Sequence, residues 1–381
     1  IAAWEETGRA DSPWAIKTAA HFESGRWGAA PTPSTGTTSA RLPKIVTNGT
    51  EVSVAWQQGL TGSERIMLAE FEGEWKSPRA LSTKHCADVE LAMDSAGTTS
   101  LSWIRHGVGE ASAVEFAQEK PAGSFHTQTL TDGSESAKSQ SMTLSESGKA
   151  TVVWYSMAGN YKVRVTSPSA GSKPPVTTLS ANNLSTQAVE PDVSTRAGIT
   201  TAVWQETTGD GSQHISYSTR DGRGEWSAAA PLPGADGDAA NPQVGVDGSG
   251  LATVLWIKGG KCDQGMVSEQ RADGSWKQAE RITEEDRDND GLRLEVAADG
   301  RAVAAWPGID PTDYPYRPPA QINVRDADGN WTGVKSLSAA GNKSFDPIAK
   351  INDSGHIAAP WSLGNGESSS PAEAVTSLTP R

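Results

Sequence analysis

The sequence predicts an all-β fold, a β-propeller of four-stranded antiparallel blades, on three observations. An apolar run ending in tryptophan recurs at Trp4, Trp56, Trp103, Trp154, Trp204, Trp256, Trp306 and Trp361, about 51 residues apart on average along a chain of 381. Fourteen Trp stand against five Phe, with 39 Gly and 22 Pro to make turns. No segment holds a 3.6-residue apolar period with helix caps, whereas alternation with period two is common.

Each repeat divides into four strands, A to D. Strand B is the run that closes on the tryptophan: IAAW, SVAW, SLSW, TVVW, TAVW, TVLW, VAAW and IAAPW. Seven of these follow a second phrase, strand A with its turn: PKIVTNG, ELAMDSAG, SMTLSESG, PDVSTRAG, PQVGVDGSG, LRLEVAADG and PIAKINDSG. Strand C comes next, and most copies then turn into another aromatic in FESGRW, EFEGEW, RDGRGEW, RADGSW and DADGNW, which places Trp27, Trp75, Trp226, Trp276 and Trp331. Alternating side chains face both sides of a strand, and the Asp-Gly and Ser-Gly pairs supply the positive φ that short hairpins need. Four short strands cannot bury both faces alone; radial stacking of units does so. The strand-B tryptophans are therefore expected to fill the gaps between neighbouring blades, each N–H bonded at the edge, and those after strand C to pack similarly. The units run approximately 1–42, 43–89, 90–140, 141–190, 191–241, 242–291, 292–346 and 347–381, within one domain spanning 1–381.

The first unit shows strands B, C and D but no A, and the last shows A, B and C but no D. The expected propeller is eight-bladed, with seven blades as the alternative. An upstream precursor segment or a partner chain is expected to complete the first and last blades, because unpaired strand edges invite pairing.

The pattern P-x-V-x-x-D-x-x-G, then x-A-x-x-W, then D-G-x-W resembles the repeats of secreted bacterial propellers, loosely sialidase-like or propeller-lectin-like, over the whole chain. The resemblance implies a secreted, extracellular protein. The turns in TRDGRGEW and RDADGNW are similar to the sialidase Asp box, but Gly falls one place late after Asp221 and Asp326, and Phe22 or Arg271 replaces the Asp in other copies. This turn specifies fold rather than activity. Sialidase chemistry implies an arginine cluster, a Tyr–Glu nucleophile pair and an Asp acid. A near match to the family's R-I-P element occurs at Arg41, Leu42 and Pro43, without the preceding aromatic, and Pro43 is already explained by the repeat. Tyr217, in HISYSTR, reads as a blade residue.

The formal net charge of −13, with no basic stripe, argues against binding a phosphate backbone. No run approaches the ~18–20 consecutive apolar residues of a membrane helix.

The A–B and C–D connections are tight, while the B–C and D–A connections are longer, differ between copies and fall on one face. Sites concentrate in variable loops on a rigid scaffold, which makes that face the candidate. Its most unusual loop, 307–321, carries Tyr314, Tyr316 and Arg317 on a stretch stiffened by five prolines, which lowers the entropy lost on contact; the competing reading is a loop whose tyrosines cover the blade edge. In EEDRDNDG, Asp286, Asp288 and Asp290 with Gly291 match the first half of a calcium loop. Ala297 stands where an EF-hand has its bidentate Glu, and a solvated acidic turn is the competing reading. His106 beside Arg105, and Glu206, which shares its post-Trp position with Glu5 and Glu6, are further candidates for ligand contact. Cys86 and Cys262 raise the question of a bridge, which their separation around a ring makes geometrically demanding. No catalytic residue is assigned. The favoured reading is a non-catalytic secreted recognition module that binds a carbohydrate or a protein through the long-loop face. The alternatives are a glycan-processing enzyme, a sialidase-like glycosidase or polysaccharide lyase, and a structural subunit of a secreted multi-protein assembly.

Overall fold

The computed structural model describes the chain except for residues 7–11, 22–26, 31, 84, 108–110, 121–122, 170–173, 182–184, 222–223, 286, 290, 311–317, 339–342, 346, 365–368 and 375–381. Among the described residues every regular element is a strand, and no helix is long and apolar enough to cross a membrane. The chain forms two compact units, Ile1–Gly159 with Arg164–Thr178, and Asn160–Val163 with Leu179–Arg381.

The first unit holds a three-stranded sheet (Ala2–Glu6, Ala15–His21, Trp27–Ala30) and two four-stranded sheets. These are the second (Ala40–Thr47, Val52–Gln58, Arg65–Phe71, Arg79–Ala80) and the third (Cys86–Met93, Thr99–Arg105, Ala113–Glu119, Phe125–Thr129). The fourth (Ser136–Leu144, Ala150–Ala158, Asn160–Thr166, Thr177–Thr178) has residues in both units. The second unit adds the fifth (Gln187–Arg196, Ile199–Thr207, Gln213–Arg220, Ala230–Asp236) and the sixth (Ala239–Val246, Ala252–Lys258, Gln264–Glu269, Glu280–Arg281). It ends with the seventh (Arg293–Val296, Ala302–Pro307, Ala320–Arg325, Lys335–Ser336) and the eighth (Lys343–Phe345, Lys350–Ile351, Ile357–Gly364, Ser369–Ala374). Every sheet is a meander of antiparallel neighbours. Among the described residues the first has strands B, C and D, and the eighth has A, in two pieces, then B and C, as the sequence predicts.

Strand A carries one irregularity that recurs. Its register against strand B slips between Arg41 and Lys44, Ala87 and Glu90, Lys138 and Ser141, Val189 and Asp192, and Ala240 and Gln243. The residues at the slip, Leu42 (φ 54°), Asp88 (54°), Ser139 (40°), Glu190 (49°) and Asn241 (49°), are left-handed. Each is a β-bulge, which bends and twists the strand, and Pro43, Pro191 and Pro242 follow three of them. In the seventh sheet Gly291 (φ 68°) holds the corresponding place. The bulge lets strand A start upstream of the repeat motif, so sheets begin at Ala40, Cys86 and Ser136 rather than near 43, 90 and 141.

The core lies between sheets. In the first unit Trp56 packs with Ile16 and Ala40, and Trp103 with Ile66 and Leu68 of the preceding sheet. In the second, Trp256 packs with Val203, Ile215 and Leu232, and Trp306 with Leu255, Ile257 and Val267. Four of these indole N–H groups donate as expected, Trp56 to Gln58 Oε1 (2.9 Å), Trp103 to Glu115 Oε2 (2.8 Å), Trp204 to Glu206 Oε2 (3.1 Å) and Trp306 to Gln321 Oε1 (2.9 Å), whereas those of Trp256 and Trp361 are buried without an acceptor, against the expectation. After strand C, Trp75, Trp226, Trp276 and Trp331 close the turn by bridging Phe71, Arg220, Gln270 and Arg325.

Strand D is short and is held by an apolar–hydroxyl pair. The backbone N–H of Leu81, Leu179, Ile282 and Leu337 donates to strand C, at Ile66, Val163, Gly265 and Ala320 (2.7–2.9 Å). The hydroxyl of the next residue accepts the N–H of the same strand-C residue: Ser82 at 2.8 Å, Ser180 at 3.0 Å, Thr283 at 2.9 Å and Ser338 at 2.9 Å.

Candidate functional site

In the fifth sheet this stitch is replaced. Leu232 is buried as Leu179 and Ile282 are, but Pro233 stands where the hydroxyl would be. Strands C and D pair at Tyr217↔Ala230 and Ser216↔Pro231, then slip to His214↔Asp236. Leu232 and Ala235 turn into the core, while Pro233 and Gly234 (φ 79°) are exposed. The strand then follows the B–C hairpin to its tip, where the Gly237 N–H donates to Gln213 O at 3.0 Å. Gly237 (φ 73°) and Asp238 (φ 60°) reverse the chain into the sixth sheet. Side chains there are constrained on the other flank as well, since a Cβ on Gly234 would meet the Ala279 Cβ at 3.1 Å.

The result is an open cleft of about 840 Å³ at the loop end of the fifth sheet, on the face named by the sequence. One wall is Pro231, Leu232 and Pro233; the polar groups are Asp210, Ser212, Gln213, His214, Asp236 and Asp238. Rigid apolar surface beside a few convergent polar groups is the usual character of a small-ligand site. Asp210 Oδ1 accepts the Thr208 hydroxyl (2.6 Å) and the Ser212 N–H (3.0 Å). These bonds favour the carboxylate and lower its pKa to about 2, the Thr208 hydroxyl contributing most. Because the folded value lies below the ordinary one, this charge persists as pH falls until about 2 is reached. An NMR titration is expected to show that midpoint, and Thr208→Val to move it back toward the ordinary aspartate value.

Other residues singled out by the sequence are placed as follows. His106 is exposed, its backbone N–H donating to His85 O at 2.7 Å. Glu206 is only 7 % exposed and holds the Trp204 N–H. Glu206→Ala is accordingly expected to cost about 1–3 kcal/mol in urea unfolding, the penalty of a buried donor left without an acceptor. Tyr314, Tyr316, Arg317, Asp286 and Asp290 lie outside the described residues. Asp288 bridges Ile309, and its Oδ1 accepts the Asp263 N–H at 3.0 Å. The neighbouring Asn289 is fully buried; its Nδ2 donates to Asp263 O and Arg287 O, both at 2.6 Å, and its Oδ1 has no donor. Among the described residues no three His, Cys, Asp or Glu side chains are grouped to hold a metal ion.

Arg41 forms a two-point pair with Glu5 (3.2 and 3.1 Å) and lies 5.0 Å from the Trp14 ring centroid. Its guanidinium is thus already matched to a carboxylate. Tyr217 packs edge-on against Trp276 at 5.1 Å, a core contact. Cys86 and Cys262 are buried thiols not joined in a disulfide, and burial pushes the Cys86 pKa up. A smaller cavity of about 360 Å³ lies at the turn end of the second and third sheets, lined in part by Glu51, Glu70, Glu72 and Glu119. Arg79 is bonded to Glu70 there at 2.6 Å.

Sequence reasoning missed the cleft residues. Its signal was available: APLPGADGD stands where four other repeats read RALS, TTLS, ERIT and KSLS.

No protein-family model matches the chain, and no curated protein matches it in sequence. Solved structures match it in fold. An ulvan lyase of polysaccharide lyase family PL25 aligns with a TM-score of 0.59 at 10 % identity, covering 87 % of this chain and 91 % of that one. The BP39L lectin from Burkholderia pseudomallei aligns at 0.55 and 12 %, covering 87 % and 93 %. The polysaccharide lyase Uly1 aligns at 0.52 and 11 %, covering 86 % and 88 %. At such identities the likeness is one of fold: the chain is an all-β protein with the β-propeller fold of these carbohydrate-active enzymes and of a lectin.

Proposed function

We propose that the protein is a non-catalytic, secreted carbohydrate-recognition module that binds its ligand at the loop end of its sheets. The observation that carries this reading is the fifth-sheet cleft, where a proline wall and an array of hydroxyl-bonding side chains line one cavity beside a D strand that carries Pro233 in place of the hydroxyl that stitches the second, fourth, sixth and seventh sheets. Departures from a rule that the rest of a fold obeys are expected where function has overridden packing. The likeness to a lectin and to polysaccharide lyases supports a carbohydrate ligand by analogy of fold. The absence of catalysis is supported by Glu206, which holds an indole N–H, and Arg41, which is paired with Glu5.

Calcium at Asp286, Asp288 and Asp290 belongs to the same proposal. Asn289 Oδ1, a buried acceptor lacking a donor, supports it, since a hard cation is bound by such oxygens. Tyr314, Tyr316 and Arg317 are proposed to extend the binding face.

A glycan array probed with the purified protein, in calcium and again in EDTA, tests the reading. A defined set of glycan hits is expected; hits lost in EDTA would support the metal, and hits retained would remove it. Silence in both conditions would overturn the carbohydrate reading, and turnover of any array hit would overturn the non-catalytic one.

A further inference from the structure

The cleft's chemistry goes further than carbohydrate in general. We propose that it selects sugars rich in hydrogen-bond donors and free of negative charge, with amino sugars bound better than neutral ones and uronic or sialic acids excluded. This rests on the carbohydrate reading above and adds the class of ligand.

The cleft is a formed cavity with two dissimilar walls, and each restricts what fits. Pro231 and Pro233 hold a rigid exposed apolar surface, against which the C–H face of a pyranose can lie with little ordering cost. Asp210, Asp236 and Asp238, which line the same cleft, are acceptors only, and none of its lining residues is lysine or arginine. Asp210 is exposed, and the Thr208 hydroxyl and the Ser212 N–H donate to its Oδ1, which orients the carboxylate as an acceptor for a ligand donor. A carboxylate cannot serve as donor to a second carboxylate, whereas a hydroxyl or an ammonium can. Charge-assisted bonds of that kind are the stronger ones, which sets the order amine, then hydroxyl, then acid.

A second observation lies directly behind the wall. Trp256 packs in one cluster with Leu232, Ala235 and Ala239, is fully buried, and has an indole N–H with no acceptor. In the second and fifth sheets the residue two places on, Gln58 or Glu206, accepts the hydrogen bond from this N–H. In the sixth that residue is Lys258, which cannot accept. The sheet boundary that forms the cleft is thus also one where the repeat's own carboxylate or amide has been given up.

Isothermal titration calorimetry with three trisaccharides tests the proposal: a β-1,4-glucosamine trimer, its N-acetylated counterpart and trigalacturonate. The glucosamine trimer is expected to bind tightest and to weaken with added salt, the acetylated trimer several-fold more weakly, and trigalacturonate at least tenfold more weakly than the first. The double variant Asp236→Asn, Asp238→Asn, whose sites are exposed, is expected to keep the wild-type unfolding temperature and lose the preference for the amine. Trigalacturonate binding as tightly as the glucosamine trimer, an unchanged preference in the double variant, or no heat with any probe would overturn the proposal. In those cases anionic hits on the array would leave the carbohydrate reading standing, while silence on the array would remove both.

Discussion

Replacing Arg325 with methionine is expected to destabilise the second unit by about 3–5 kcal/mol, the cost of leaving a buried charge without its partner. Arg325 Nε lies 2.5 Å from Glu269 Oε1, and its Nη2 donates to Oε2 at 2.8 Å. The side chains are 15 % and 5 % exposed. Arg325 Nη1 also donates to Gly300 O, so the guanidinium ties the sixth sheet to the seventh at their turn end. Lys277 reaches Glu269 Oε2 at 2.6 Å but is 45 % exposed, and it compensates only partly. Urea unfolding should show the loss as a lower midpoint with an unchanged slope. Removing both charges, Glu269→Met with Arg325→Met, should restore much of it, because the desolvation cost then disappears as well. A double variant no better than the single one would show that the pair is not the cause.

The second large effect is expected from Trp103→Ala, also about 3–5 kcal/mol, for a cavity the size of an indole. Trp103 is fully buried and packs across the gap to Ile66 and Leu68. Its loss also strips Glu115 Oε2 of its indole donor. Trp226, partly exposed in its turn with Arg220 lying 5.1 Å from its ring centroid, should by contrast cost about 1 kcal/mol as alanine. Equal losses at the two sites would contradict the division of the tryptophans into gap-fillers and turn-closers.

These two sites mark how far the sequence can be read. Trp103 was legible because its role repeats: one residue type at one strand position every fifty or so residues can only be architecture. The same periodicity exposed the strands, the turns, the strand-poor first and last units and the face carrying the long loops. Arg325 and Glu269 were not legible, because their partnership joins strand C of two different repeats and no local pattern marks it. The strand-A bulge was half visible. The prolines at 43, 191 and 242 were seen as part of the repeat, but Leu42, Glu190 and Asn241 do not advertise a left-handed backbone. It also accounts for Gly291, the glycine of the acidic 284–291 motif, which is left-handed two residues before strand Arg293–Val296, at the place the bulge takes in other sheets. The cleft is illegible for the opposite reason: it lies where one repeat departs from the pattern, Pro233 standing where the second, fourth, sixth and seventh carry Ser or Thr.

The most direct measurement of the central claim is hydrogen–deuterium exchange of the protein with and without its strongest array glycan. The account requires slowed exchange in residues 208–214 and 231–238, around the cleft and the B–C hairpin beside it, with the turn-end cavity near Glu51 and Glu119 unaffected. Protection centred on that turn-end cavity, or none at the fifth sheet while the glycan is bound, would contradict it.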